Sequence, residues 1–199
     1  MKKIIFIFTL FIFAFANEVQ KVYVKSYNYE KTGDYKNAFR VLMPIYAKYS
    51  KGYTLNLRLG YLLYLQKQYR KSIFYYQKAS IILPYSFEPK LGMMKVYFSI
   101  EEYKKVLEIG YSLLKRNYYD YYTNLYILQS LKKLKKYKEA LEIANKMLLI
   151  YPTDKTYLVN LAKIYEIINP QYAKKIYLNS VLVLDPNNVS AKLFLDKTK

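Results

Sequence analysis

Apolar residues recur along the chain at helical spacing in stretches of about a dozen, and short polar breaks divide one stretch from the next. Leu55 to Leu65 and Ser72 to Leu83 form one such pair, and they predict two amphipathic helices running antiparallel across a tight turn. The pairing repeats. Tyr35, Tyr69, Tyr103 and Tyr137 are each separated by 34 residues, and each follows a polar pair: Gly33 and Asp34, Lys67 and Gln68, Glu101 and Glu102, Lys135 and Lys136. Pro84, Pro152 and Pro186 fall in the same frame, and Ala38 and Ala140 each lie three residues after a framing Tyr. Pro stops the second helix of a pair because its ring cannot continue the hydrogen-bond ladder, and small residues let two helices approach. A single hairpin leaves its apolar stripe bare, so successive hairpins must stack to bury it. The pattern therefore predicts an all-α repeat architecture with no strands.

This register is similar to that of the tetratricopeptide repeat family, whose 34-residue helix-turn-helix unit has small residues at positions 8, 20 and 27 and Pro at 32. The stretch 53–86 carries Leu59 and Gly60 at positions 7 and 8, Leu63 at 11, Ser72 at 20, Tyr76 at 24, Ala79 at 27 and Pro84 at 32. The resemblance implies an α-solenoid, a right-handed superhelix of about five hairpins, with repeats at about 19–52, 53–86, 87–120, 121–154 and 155–188. It leaves 189–199 as a capping helix, with Ala191, Leu193, Phe194 and Leu195 facing the last repeat. Two repeats depart from the pattern. In the third, Met94, Val106 and Leu113 replace the small residues while Gly110 stands where a large aromatic is usual, which predicts a less regular hairpin. In the fifth, Asn169 and Pro170 occupy the turn and Ala173 arrives one place early relative to Pro186. That offset predicts a one-residue insertion in the second helix or in the turn after it.

Residues 1–16 stand outside the repeats. Lys2 and Lys3 precede an apolar run from Ile4, and the run ends on Ala14, Phe15 and Ala16, the pattern of a secretory signal peptide cleaved after Ala16. The 13 residues from Ile4 to Ala16 fall short of the roughly 20 that span a bilayer as a helix. Retention as a membrane anchor is the competing reading. No later segment is apolar for long enough to cross a membrane, so the mature chain, 17–199, is expected to carry no transmembrane helix and to be periplasmic or secreted.

Charge and composition narrow the chemistry. The chain has 33 Lys and Arg against 14 Asp and Glu, for a formal charge of +19, which points to an acidic partner. Abundant Lys, Ile, Tyr and Asn also fit an adenine- and thymine-rich coding sequence, and both readings stand. The export signal argues against nucleic acid. There is no Cys and no His, so disulfides, thiol nucleophiles, imidazole bases and the softer metal ligands are absent. The carboxylates do not converge: Glu101 and Glu102 fall in a turn, and Glu139 and Glu142 lie one helical turn apart beside Lys135, Lys138 and Lys146. Lys31 to Asp34 lacks the glycines and strand of a phosphate-binding loop. No catalytic residues, cofactor or metal site are expected, and the protein is not expected to be an enzyme.

In the resembling family, ligands lie in the concave groove lined by the first helix of each repeat. Transferred by position, that lining is Tyr23 and Tyr27 from the first repeat and Leu57, Tyr61 and Tyr64 from the second. The third contributes Lys95 and Phe98, the fourth Tyr122, Leu125, Gln129, Lys132 and Lys133, and the fifth Lys163. This is an aromatic groove with a basic end, suited to a protein or peptide partner, including an acidic one. Packing of the same aromatics between repeats is the alternative. The run Lys132, Lys133, Lys135, Lys136 and Lys138 likewise reads either as cations favoured at a helix C-terminus or as a contact for an acidic protein or envelope polyanion. The functional expectation is an exported interaction scaffold that assembles or regulates a cell-envelope complex. The other reading is an electrostatic binder of anionic envelope polymer or lipid through its Lys-rich surface.

Overall fold

The structure, a computed structural model, describes residues 18–198; the expected signal peptide lies outside the described residues. The chain is an all-α solenoid of helical hairpins. The first hairpin pairs α1 (18–31) with α2 (Tyr35–Arg40) and α3 (Met43–Tyr49). The second is α4 (Tyr53–Leu65) with α5 (Tyr69–Ile82), the third α6 (Glu88–Ser99) with α7 (Tyr103–Leu114), and the fourth α8 (Tyr121–Lys133) with α9 (Tyr137–Ile150). The fifth joins α10 (Lys155–Ile168) to α11 (Pro170–Ile176), a π-helical segment Tyr177–Val181 and α12 (Leu182–Leu184). The last helix is α13 (Val189–Lys197). Two compact units divide between Val96 and Tyr97, inside α6.

The four framing tyrosines each begin the second helix of a hairpin, and the turn before each is built in one way. Gly33, Lys67, Glu101 and Lys135 adopt positive φ, at 77, 57, 62 and 60°. In the first, Asp34 N–H donates to Tyr29 O and Gly33 N–H to Glu30 O, and in the second Gln68 N–H donates to Leu63 O and Lys67 N–H to Tyr64 O. Glu102 and Lys136 make the matching bonds to Tyr97 O and Leu131 O. This is the Schellman closure, which satisfies carbonyls that a helix end would otherwise leave bare. Its left-handed residue suits Gly, yet three of the four are Lys or Glu, so these turns carry backbone strain that helix packing outweighs.

In the first unit the buried core joins Ala38, Leu42 and Ile45 to Leu55, Leu59 and Leu62. The second helix of this hairpin is broken at Val41 and Leu42. Pro44 supplies the cause: it lacks an N–H and its ring excludes the carbonyl four residues back, that of Arg40, the last residue of α2. The side chains on either side of the break still reach the core. Gly60 lies against the buried ring of Tyr76, where an added Cβ would stand 2.9 Å from Cδ1.

The expected irregularities take physical form. The helices of the third hairpin have 12 residues each, against 13 and 14 in the hairpins before and after it. The fifth hairpin has Asn169 alone between its two helices, whereas the others use three residues. Asn169 caps α11 by accepting from Tyr172 N–H at 3.1 Å, and Pro170 opens the helix, where a missing N–H costs nothing. The second helix thus starts one place early, which puts Ala173 where Ala140 lies in the fourth hairpin. The π-helical segment then takes up one extra residue, so that Val181, buried like Met147, is back in frame. The insertion is in the helix, and it offsets the shortened turn.

The cap requires one correction. Ala191 is buried and Phe194 lies 5.4 Å, ring to ring, from Tyr177, but Leu193 is 58% exposed. Residues 191, 194 and 195 follow the three-four spacing of one helix face, and position 193 falls on the other side.

Candidate functional site

The first helix of each hairpin carries two kinds of position. Leu59, Leu62 and Leu63 of α4, and Ile127, Leu128 and Leu131 of α8, are buried. The proposed groove positions lie on the other face of the same helices, and every one of them keeps some exposure to solvent. The helical period therefore separates packing from lining, and the candidate side chains are available even where they also touch neighbours.

In the first unit these side chains form an aromatic wall over one buried ion pair. Arg58 Nη1 lies 2.8 Å from Glu30 Oε2, with side chains 6% and 22% exposed. Arg58 Nε and Nη2 donate to Ser26 Oγ at 3.1 and 2.9 Å, and that hydroxyl donates to Ala38 O at 2.8 Å. The guanidinium lies 3.6 Å from the ring centre of Tyr27, covering one face of an otherwise half-exposed phenol. Tyr23 packs on the core, and burial raises its phenol above the usual range. Burial does the same to Tyr61, reinforced by the Glu30 carboxylate. Lys95 Nζ stands 4.7 Å from the ring centre of Tyr64 and 6.0 Å from that of Tyr61. Leu57 is partly exposed on the same helix. Packing and lining are thus not exclusive: Tyr23 and Tyr27 do both.

In the second unit five of the transferred residues line one open cavity of about 440 Å³: Phe98, Gln129, Lys132, Lys133 and Lys163. Tyr137, Val159, Asn160 and Ile167 complete it. Phe98 is held in edge contact with Tyr103 and Tyr126, at 5.4 and 5.9 Å between centres. Tyr122 and Leu125 do not line this cavity; Tyr122 packs on Tyr121 at 5.2 Å and is 60% exposed. Lys132 Nζ donates to Asn160 Oδ1 at 2.7 Å, and Asn160 Nδ2 donates to Thr156 O at 2.9 Å. Desolvation, then repulsion from Lys163, lowers the Lys132 ammonium from its ordinary range to about 8, against a smaller opposing pull from Glu166. Lys133 and Lys163 have no hydrogen bond or ion pair among the described residues.

The two units repeat one inter-hairpin contact. Glu30 and Lys132 occupy the same place in the first helix of their hairpins, and each reaches a side chain 28 residues ahead, Arg58 and Asn160. In the first unit cation meets carboxylate and charge is balanced. In the second the cation meets a neutral amide. The lysine run divides accordingly: Lys132 and Lys133 close α8, Lys135 takes the left-handed turn position, and Lys136 pairs with Glu139 at 2.9 Å.

The sequence reading omitted Glu30, Arg58, Tyr137, Val159, Asn160 and Ile167. Glu30 was recoverable, since it stands where Tyr64, Phe98 and Lys132 stand in later hairpins. Arg58 and Asn160 share a position at the border of lining and core, and only the partner side chain reveals their role. Among the described residues no acidic cluster is arranged to hold a metal ion, and no helix is long and apolar enough to cross a membrane.

No sequence family and no curated protein sequence matches the chain. Solved structures do resemble it. A tetratricopeptide repeat protein from Parabacteroides merdae superposes with a TM-score of 0.78 at 17% identity, over 91% of this chain and 75% of its own. MamA from Desulfovibrio magneticus gives 0.75 at 14% identity, over 86% and 97%. YrrB, described as a TPR protein with an unusual peptide-binding site, gives 0.71 at 15% identity, over 96% and 97%. The chain has the tetratricopeptide fold.

Proposed function

We propose that the protein is an exported, non-catalytic scaffold that holds a protein or peptide partner on the first-helix face of its hairpins and so helps assemble or regulate a cell-envelope complex. The observation that carries this reading is the cavity of the second unit, where apolar walls from Phe98, Tyr137, Val159 and Ile167 stand beside three ammonium groups. An apolar floor with a charged rim suits a polypeptide, which offers side chains of both kinds. YrrB, with the same fold, is described as having a peptide-binding site, which supports the reading by analogy of fold. The N-terminal pattern of Lys2, Lys3 and the apolar run to Ala16 supports export.

The test places a photo-reactive cross-linker at Gln129, in the cavity, or at Lys71, exposed on α5, in the mature chain mixed with an envelope fraction. Cross-links to a discrete polypeptide from Gln129 and not from Lys71 are expected. Equal labelling from both positions, abolished by moderate salt, would instead support diffuse attraction to an anionic polymer or lipid. N-terminal sequencing of the exported chain is expected to begin at Asn17.

A further inference from the structure

We propose that the cavity of the second unit selects an internal acidic segment of its partner, one in which two adjacent Asp or Glu side chains stand next to a large apolar one. This rests on the scaffold reading and specifies what its basic end recognises.

The argument begins with charge balance. Lys132 and Lys133 at the end of α8 face Lys163 of α10 across the cavity, and Glu166 is the carboxylate that acts on Lys132. The Glu166 carboxylate also accepts the Tyr177 hydroxyl. No carboxylate lines the cavity beside the three ammonium groups, and among the described residues Lys133 and Lys163 are in no ion pair, so two positive charges are left over. The equivalent contact in the first unit shows what a charge-balanced arrangement looks like: Glu30 neutralises Arg58 at 2.8 Å and Ser26 Oγ accepts from Nε and Nη2. In the second unit none of the described residues plays the part of Glu30. Holding like charges together while one is partly desolvated is unfavourable, and an incoming pair of carboxylates removes that cost.

The donor chemistry favours side-chain carboxylates over a chain terminus. Asn160 is held by its own helix and by Lys132: one amide N–H goes to Thr156 O and its oxygen accepts a hydrogen bond from the Lys132 ammonium. Its second amide N–H is one directed donor, where a terminal carboxylate held by geometry takes several. What remains is the charge of Lys133 and Lys163 and the spare protons of Lys132, a point-charge field that attracts carboxylates without fixing one geometry. Two such charges match two acidic residues. Phe98, Tyr137 and Ile167 provide the apolar surface for the neighbouring side chain.

The test uses the mature chain and fluorescence anisotropy with synthetic peptides, blocked at both ends except in the free-terminus control. The probe carries one leucine followed by two glutamates in a Gly/Ser background. One control replaces both glutamates by glutamine, and a second has no acidic side chain but a free C-terminal carboxylate. Saturable binding of the probe is expected, weakened about tenfold or more in the glutamine control. Lys133→Gln with Lys163→Gln should weaken the probe by a similar factor, while Lys71→Gln with Lys104→Gln, both exposed and outside the cavity, should leave it within about twofold. These four lysines lie at the surface, so folding is not at stake. A charge swap gives a gain rather than a loss: Lys133→Glu with Lys163→Glu should bind a probe whose glutamates are replaced by lysine. Equal weakening by both lysine pairs, tighter binding of the free-terminus peptide, or no difference between probe and glutamine control would each overturn the proposal. Cross-linking at Gln129 that persists in any of those cases would leave the scaffold reading intact.

Discussion

The ring of Tyr76 occupies the space that a side chain on Gly92 would need: a Cβ there would stand 2.5 Å from Cε1 and Cζ. Gly60 presses on the same ring from α4, so Tyr76 is held between two glycines on neighbouring helices. Alanine at 92 gains about 1 kcal/mol of helix propensity but forces a buried ring aside. Gly92→Ala is expected to destabilise by about 1–2 kcal/mol, and Gly60→Leu by about 1–3 kcal/mol. Urea denaturation measures both. Combining Gly92→Ala with Tyr76→Leu should recover part of the loss, as expected if the ring is the obstacle.

The strained turns predict changes of the opposite sign. Lys67→Gly, Glu101→Gly and Lys135→Gly each place the residue that tolerates positive φ where the structure already requires it. Each is expected to raise stability by up to about 1 kcal/mol, less the entropy that Gly adds to the unfolded chain. Gly33→Val should lower it by 1 kcal/mol or more, on the order of the left-handed penalty for a branched side chain. A shift in urea midpoint at constant slope would confirm that folded-state geometry is the cause.

Breaking the balanced contact tests its weight. Glu30→Gln leaves Arg58 largely buried without a counter-charge, and a loss of about 2–3 kcal/mol is expected, below the value for a fully enclosed pair because Glu30 is partly exposed. Glu30→Gln with Arg58→Met should recover much of it. If the double variant were no better than the single one, the pair would contribute more than relief of a stranded charge.

Alkaline pH should act twice, in opposite directions. Lys132 is lowered to about 8 in the folded protein, while the unfolded chain holds that proton to above pH 10. Between those limits the unfolded state binds more protons, so this group's contribution rises with pH, and Lys132→Met should abolish the rise. The buried phenols run the other way. Tyr157 and Tyr177 are raised by desolvation, and so are Tyr23, Tyr61, Tyr75 and Tyr121. Their stabilisation is complete below about pH 10, where unfolded Tyr titrates, and is lost as pH climbs through the raised folded values. Cooperative unfolding above pH 10, with phenolate absorbance and loss of helical circular dichroism moving together, is the expected outcome. Phenolate appearing well before helix loss would count against it.

The repeat frame was legible because it is written several times over: one Tyr, Pro or Ala is weak, but each recurs at the same interval with the same physical task. The same frame put Lys132 and Lys133 on one face with Lys163, which follows one repeat later, and the three line one cavity. It failed where a residue's task depends on a partner. Leu193 reads as apolar and therefore inward, yet the turn of a short helix puts it outside. Lys78 of α5 donates to the Tyr46 hydroxyl at 2.7 Å and lies 4.7 Å from the ring centre of Phe74, so this cation serves structure. Pro44 was visible all along; the survival of the hydrophobic frame across it was not, because packing by Leu42 and Ile45 outweighs the lost hydrogen bond.

The π-helical segment of the fifth hairpin behaves as a suppressor of a frameshift. A second helix that starts one residue early would by itself rotate everything after it by roughly 100° about the helix axis, aiming Val181 at solvent. The extra residue between Tyr177 and Val181 restores the phase before Pro186 and α13 are reached. Length changes in this chain are therefore tolerated as matched pairs. Removing one residue from the segment, or adding one at Asn169, should each misalign the cap, whereas making both changes together yields a fifth hairpin with the spacing of the other four.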